Sequence, residues 1–493
     1  MREVGRNALL GSMTTVGGSL AAFAVRFAVN AHLARVLLPE AFGVYAQASV
    51  YAAIVAILGA VSFPQALVQL PDDVDAGDLA ATVRRLTAWS SALLGVVALA
   101  AWPLVELAQG PDVARCFLVL VGVNALGTYG STFELELQRH HRWHIAAGLK
   151  LGANLVAVAF VVPLAHLTRD PLVLVLRDAL APVLVMLAVV VARWKSGVPR
   201  GRYDRAIAAR VWVLGRALFV NRALEIVLHK VDSALVGELL GQRALGLYDQ
   251  ARYLAALPNA ALGPVTQTVG LRLMASLQGD GARLGRAFAL LQWGVTRAIL
   301  VFALGCLVAP ELAVRVVFGP AWLDAAPILQ ALSIWCALFP LSGLHVVFLM
   351  ARADWRPIRA GYLAALVALA VALPPLALAL DAVGVAIAHT IAIGVELVVR
   401  VRGSSPHLGA RARDHAINFA PLVLALALGV AGGRGFGSLL DPGYEAQALA
   451  LVAGLAVAAA TLVALEGRRT LAELRYLRDI LRRPAPRPPE ARP

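Results

Sequence analysis

Charged side chains interrupt several long apolar segments of this chain. A charge in such a segment is energetically costly and therefore requires a structural or functional explanation. One segment carries Arg222, Glu225, His229 and Asp232, spaced 3, 4 and 3 residues apart. At about 100° per residue, this spacing places all four on one face of a helix. A charge that faces lipid at a helix centre costs about 2.5–3.5 kcal/mol on insertion scales. The face therefore lines a wet cavity, or its members pair and hold helices together.

A second polar stripe lies near the N-terminus and consists of Ser12, Thr15, Ser19, Arg26 and Asn30. These five residues fall within about 60° of one another on a helix. No acidic residue lies close to Arg26 on that helix, so its charge is free for an anionic ligand. Guanidinium groups bind phosphate through paired, charge-assisted hydrogen bonds. The stripe therefore favours a cavity that takes an anion.

The alternative for the segment around Arg222 is a static network. Arg222 would then pair with Glu225, and Lys230 with Asp232, across neighbouring turns of one helix. Both interpretations stay open, because every base in this segment has an acid within reach.

Composition shows which elements must position these residues. Of the 493 residues, 60% are hydrophobic and only 15% are charged, and the mean hydropathy is +0.74. Soluble domains are about half apolar and about a quarter charged. A membrane span needs about 20 largely apolar residues. The chain offers fourteen such segments, centred near residues 22, 55, 95, 126, 155, 182, 224, 258, 297, 336, 369, 392, 423 and 455. It is therefore predicted to be an all-α polytopic membrane protein.

Basic residues predict the orientation of the spans. The net charge is +14, and most Lys and Arg outside the spans fall in alternate connections, including the stretch 193–210 and the C-terminal tail. Such an excess is typical of the cytoplasmic side. Both termini are then cytoplasmic, as an even number of spans requires. Because the basic residues are spread over short connections, no nucleic-acid partner is expected.

A repeated motif predicts how the spans are grouped. Residues 41–48 read AFGVYAQA and residues 244–251 read ALGLYDQA, 203 residues later, and a Leu-Leu pair lies just upstream of both copies. An even number of spans per copy gives a pseudo-twofold axis along the membrane normal. We expect two pseudo-symmetric six-helix lobes around a central cavity plus two extra helices. The predicted parts are an N-lobe at 1–200, a C-lobe at 201–403, spans 13 and 14 at 404–466, and a basic, proline-rich cytoplasmic tail at 467–493.

Three turn motifs resemble those of a known family. Residues 33–45, LARVLLPEAFGVY, resemble the signature that follows the first span of Wzx-type polysaccharide and O-antigen flippases. These flippases belong to the multidrug/oligosaccharidyl-lipid/polysaccharide exporter superfamily. Residues 232–248 resemble the junction of spans 7 and 8 in that family, and FGPAW at 318–322 resembles its turn before span 10. The resemblance covers most of residues 5–400.

The resemblance implies a membrane transporter rather than an enzyme. It would flip an undecaprenyl-pyrophosphate-linked oligosaccharide across the bacterial cytoplasmic (inner) membrane, for polysaccharide or lipopolysaccharide biosynthesis. A polysaccharide polymerase or glycosyltransferase is a possible partner, and no cofactor, metal or catalytic residue is expected. The substrate-binding candidates are Arg26, Asn30, Lys150, Arg177 and Arg222. The candidates for coupling to an ion gradient are Asp178, Glu225 and Asp232.

Three rival functions remain. A membrane-embedded glycosyltransferase or polymerase would be expected to carry catalytic residues in a sizeable external loop, whereas the external connections here are short. A cation-coupled drug exporter of the same superfamily would share the fold but not the flippase-like turns. A flippase for a lipid-linked peptidoglycan precursor would differ only in its cargo.

Overall fold

The fold is built entirely from helices across the residues that the structure describes. This computed structural model describes residues 2–58, 63–70, 74–139, 143–196, 201–277, 281–408 and 412–482. The helices of the first half are α1 (Arg2–Val36), α2 (Pro39–Leu58), α3 (Ala66–Gln69), α4 (Ala76–Gln109), α5 (Pro111–Arg139), α6 (Trp143–Thr168) and α7 (Leu172–Ser196). Those of the second half are α8 (Arg205–Ala255), α9 (Leu257–Val265), α10 (Leu271–Ser276), α11 (Gly281–Val308), α12 (Pro310–Val317), α13 (Ala326–Ala331), α14 (Ser333–Ala351), α15 (Arg356–Leu408), α16 (Ala412–Gly437) and α17 (Tyr444–Arg482).

The two longest helices, α8 and α15, each contain a break in the backbone, and α15 contains the two predicted span centres at 369 and 392. The backbone of α8 breaks at Gly241 (φ 84°), a conformation that glycine adopts without steric cost. The backbone of α15 breaks at Asp381 (φ 49°), where the boundary between spans 11 and 12 was predicted. A positive φ is uncommon outside glycine, and Asp adopts it more often than most other residues.

Each of the fourteen predicted centres lies on a helix. Within the described ranges, nine helices are long and apolar enough to cross a membrane, and α8, which carries the charged face, is not among them. The predicted fold class is confirmed, and the chain is a multi-pass membrane protein. The C-terminal helices α16 and α17 pack on each other and on α11.

Some predictions concern residues outside the part of the chain that the structure describes. The side chains of Ser12, Thr15 and Ser19 are outside it, and so are residues 483–493 of the predicted tail. The backbone of α17 continues to Arg482, so the first part of that tail is helical.

The two copies of the repeated motif meet each other between the lobes. Gly43 of α2 lies against the backbone of Gln242, and Gly246 of α8 lies against the backbone of Pro39. A Cβ atom at Gly43 would sit 1.8 Å from the Gln242 carbonyl oxygen, and one at Gly246 would sit 2.0 Å from the Pro39 carbonyl oxygen. Two heavy atoms that are not bonded to each other cannot approach this closely. The motif therefore permits direct backbone contact between α2 and the second half of α8.

We expect Gly43→Ala to force α2 away from α8 and to destabilise the protein by about 1–3 kcal/mol, the usual cost of overpacking. The measurement is the thermal unfolding midpoint of the protein in detergent. A cysteine pair replacing Glu40 and Arg243, which form an ion pair of 2.8 Å, should also cross-link less readily in this background. Gly95→Ala is the matched control, because a Cβ there meets open space. An equal effect of both substitutions would contradict the proposed contact.

Candidate functional site

A cavity of about 590 Å³ lies between α2, α5, α7 and α8. The first half of α8 forms its charged wall and contributes Arg222, Glu225, His229 and Lys230. Three of the four members of the predicted polar face, Arg222, Glu225 and His229, line this cavity. The fourth member, Asp232, is absent from the cavity lining.

A second wall has no charged side chain among the described residues that line the cavity. It is formed by α5, from which Asn124, Thr128 and Ser131 face the cavity. These residues are spaced 4 and 3 apart and so share one face of the helix. A third wall, from α2, is made mostly of small side chains, which leave room between the charged and neutral walls.

The charged wall contains one of the two predicted ion pairs. An Nη1 atom of Arg222 donates to Glu225 Oε2 at 2.9 Å, and both side chains are partly exposed. Lys230 Nζ donates to the hydroxyl of Ser49 on α2 at 2.9 Å, rather than pairing with Asp232. The lysine therefore connects the charged wall to α2.

Asp232 is fully buried behind this wall and holds the two halves of α8 together. The hydroxyl of Tyr248 donates to Asp232 Oδ2 at 2.7 Å, and Arg252 Nη1 lies 3.3 Å from the same oxygen. His389 Nδ1 on α15 also lies 3.3 Å from it. Arg252 additionally donates to Asp249 at 3.0 Å. A carboxylate buried this deeply needs such partners.

A second polar chain joins both lobes through α7. Arg177 Nε donates to Asp178 Oδ1 at 2.9 Å, and its Nη1 donates to Asn30 Oδ1. Asn30 in turn donates to Gln250 Oε1 at 2.9 Å. Asp178 accepts a hydrogen bond from the hydroxyl of Tyr45, and both of these side chains line the cavity. Asn30 and Arg177 therefore lie behind the cavity and connect α1, α7 and α8.

Two other predicted binding residues lie elsewhere. Arg26 is exposed and borders a crevice of about 10 Å³ together with Arg177 and Asn154. That volume holds about one water molecule. Lys150 Nζ pairs with Glu134 Oε1 at 2.6 Å, and half of its side chain is exposed. The structure thus brings Arg222, Glu225 and Asp178 to one cavity and leaves Arg26 and Lys150 outside it.

Sequence reasoning missed the neutral wall of α5 and the partners of Lys230 and Asp232. The spacing of Asn124, Thr128 and Ser131 was visible as a polar face, so this wall had a detectable signal. Tyr248 and Gln250 were visible as repeated residues, but a repeat does not show what a side chain contacts. Ser49, which is 181 residues from Lys230, had no signal of its own.

Comparison with known proteins gives consistent likenesses. Residues 32–327 match the model of the family described as polysaccharide biosynthesis protein. The chain is 24% identical over 262 residues to the amylovoran biosynthesis protein AmsL of Erwinia amylovora, a stretch that covers 52% of this chain and 66% of that protein. It is 21% identical over 291 residues to the teichuronic acid biosynthesis protein TuaB of Bacillus subtilis (strain 168), which covers 58% of each. The matched stretch thus spans less than two thirds of either relative.

Solved structures show the same fold over more of the chain. The lipid II flippase MurJ in an inward closed conformation gives a TM-score of 0.69 at 12% identity, covering 94% of this chain and 100% of that chain. An inward-facing multidrug resistance MATE family transporter of the MOP superfamily gives a TM-score of 0.55 at 15% identity, covering 83% and 98%. At these identities the likeness establishes the fold alone.

We expect Arg252→Gln to destabilise the protein by about 3–5 kcal/mol, because it leaves the buried carboxylate of Asp232 without its cation. The measurement is again the unfolding midpoint in detergent. Arg243→Gln is the matched control, since its pairs with Glu40 and Asp324 are exposed and such pairs contribute little. Equal midpoints for the two variants would show that the buried pair does not hold α8 together.

Proposed function

The chain belongs to the polysaccharide biosynthesis protein family, and we propose that it flips a lipid-linked oligosaccharide across the bacterial cytoplasmic membrane. The match to this family confirms the resemblance that the sequence motifs indicated. The proposed carrier is undecaprenyl pyrophosphate, whose diphosphate is the charged group that must cross the apolar core. Transport of this kind breaks no covalent bond, so we propose a transporter rather than an enzyme.

The observation that carries this proposal is the charged wall of the cavity. Phosphate oxygens only accept hydrogen bonds, and the wall offers donors. Arg222 has five N–H donors, and its bond to Glu225 uses one of them. Lys230 has three donors and gives one to Ser49. For both cations, the remaining donors have no protein partner among the described residues, and both side chains line the cavity, which suits a diphosphate.

The remaining candidate residues have different proposed roles. Arg177 and Asn30 act on the site indirectly, because they hold Asp178 and join α1 to α7. Arg26 stays a proposed substrate contact on the strength of its exposure and the absence of a nearby acid on its own helix. The proposed contact of Lys150 with the substrate has less support, since Glu134 already neutralises its charge.

The family match separates this proposal from its nearest rival. The similarity to drug exporters is limited to the fold, whereas the family model and the two relatives concern polysaccharide biosynthesis.

A polysaccharide polymerase or glycosyltransferase is the partner we propose for synthesis before or after transport.

We expect Arg222→Gln and Lys230→Gln each to lower glycan export by about tenfold or more, because a charge-assisted hydrogen bond contributes about 1.5–3 kcal/mol. Export is measured in cells that lack the native gene, with expression checked by immunoblot. Arg434→Gln is the matched control, since Arg434 is exposed on α16, away from the cavity. Arg26→Ala should also lower export, and Arg26→Lys should restore it in part because it keeps the charge. Normal export by Arg222→Gln would overturn the diphosphate site.

We further propose that Glu225, Asp232 and Asp178 couple transport to an ion gradient. Glu225 is the leading candidate, because a substrate phosphate that binds Arg222 would displace its carboxylate and leave it to take up a cation. Transport into proteoliposomes should then depend on an imposed pH or sodium gradient. Glu225→Gln should abolish this dependence, and Glu445→Gln, at an exposed position of α17, should preserve it. Gradient-independent transport by the parent protein would refute the coupling role.

A further inference from the structure

Two walls of the cavity, one from α8 and one from α5, differ in charge. Among the described residues that line it, the formal charges lie on α7 and α8, in Asp178, Arg222, Glu225 and Lys230. The α5 wall contributes Asn124, Thr128 and Ser131, which are neutral and polar. A ligand with a charged part and an uncharged polar part would therefore bind in one orientation, with each part against the matching wall.

The α5 wall is suited to hydrogen-bond donors rather than to phosphate. The Thr128 hydroxyl donates to the Asn124 carbonyl oxygen at 2.7 Å, and the Ser131 hydroxyl donates to the Thr128 carbonyl oxygen at 2.7 Å. Each hydroxyl has thus committed its one donor to its own helix and keeps only lone pairs for a ligand. Phosphate oxygens have no donor to offer these lone pairs, whereas sugar hydroxyls do.

Asn124 adds both kinds of group at the same face. Its side chain is exposed to the cavity, and an amide offers two donors and a carbonyl acceptor. Within the part of the chain described, no hydrogen bond of this amide to the protein is recorded. It can therefore bind two neighbouring hydroxyls, or the amide of an N-acetyl group, in a paired arrangement.

The size of the cavity limits how much of the ligand its walls can contact. A volume of about 590 Å³ falls in the range of about 300–1,000 Å³ that is usual for pockets that hold one small molecule. It holds a diphosphate and the sugar next to it, but not a long oligosaccharide. The more distant sugars must lie outside, beyond reach of both walls.

We propose that the α5 wall, through Asn124 and Thr128, binds the sugar attached directly to the diphosphate and selects lipid-linked glycans by that sugar. This inference rests on the proposed function. The charged wall fixes the diphosphate, and the position of the diphosphate presents the first sugar to α5. Sugars further along the glycan are tolerated, since nothing in the cavity contacts them.

The test compares two probes on the purified full chain in lipid nanodiscs. One probe is polyprenyl diphosphate carrying a single N-acetylhexosamine, and the other is the same lipid diphosphate without sugar. Asn124→Leu and Thr128→Val should each weaken binding of the glycosylated probe by about three- to tenfold, the usual effect of losing one or two hydrogen bonds. Binding of the bare diphosphate should stay unchanged. Arg222→Gln should weaken binding of both probes.

Thr132→Val is the matched control, because Thr132 on the same helix is fully buried, donates to its own helix at 2.7 Å and does not line the cavity. It should change neither affinity. An equal loss for both probes in Asn124→Leu and Thr128→Val, or no loss for either, would overturn the assignment of the sugar to α5. Failure of the parent protein to move the glycosylated probe across vesicles would instead refute the proposed function, so the two failures are distinguishable.

Discussion

The direct backbone contact between α2 and the second half of α8 is the constraint on which the rest of the site depends. Gly43 and Gly246 let two backbones touch where any side chain would separate them. Exposed ion pairs from Arg243 to Glu40 and Asp324 lie beside this contact. Further along α2, small residues such as Ala52 and Ala56 line the cavity. The same pair of helices therefore makes the backbone contact and contributes two walls of the cavity.

The intramembrane charges fall into two groups by the number of partners they have. Asp232 is surrounded by Tyr248, Arg252 and His389 and joins the two halves of α8 to α15. A buried pair of Glu396 and Arg400, bridged by the Ser342 hydroxyl, does the same between α14 and α15. These groups stabilise a lobe because removing one partner leaves an uncompensated buried charge. Among the described residues, Arg222 and Lys230 of the cavity wall each have a single protein partner, and we propose that this incomplete pairing suits them to a ligand.

Sequence patterns predicted the elements well and their contacts only in part. Apolar length placed each of the fourteen predicted centres on a helix, and even the break at Asp381 was placed correctly, because both follow from local composition. The repeat predicted two lobes, yet its glycines were interpreted as turns, since their role depends on a backbone 200 residues away. Periodicity likewise placed Asp232 on the face of Arg222. It could not show that Tyr248 and Arg252 cover the last turn of that face, because helical spacing defines a direction and not a neighbour.

The hydrogen bonds that connect α2 to α8 also limit how far these two helices can separate. Lys230 reaches Ser49, and Gln47 and Tyr51 both donate to Glu238 at 3.0 and 2.8 Å. All of these side chains lie on the two helices that touch at Gly43 and Gly246. Separating the helices would break these bonds together with the glycine contact, since all of them join rigid elements. The proposed diphosphate, by drawing Lys230 away from Ser49, would remove one of these links, so its binding would weaken the contact between α2 and α8.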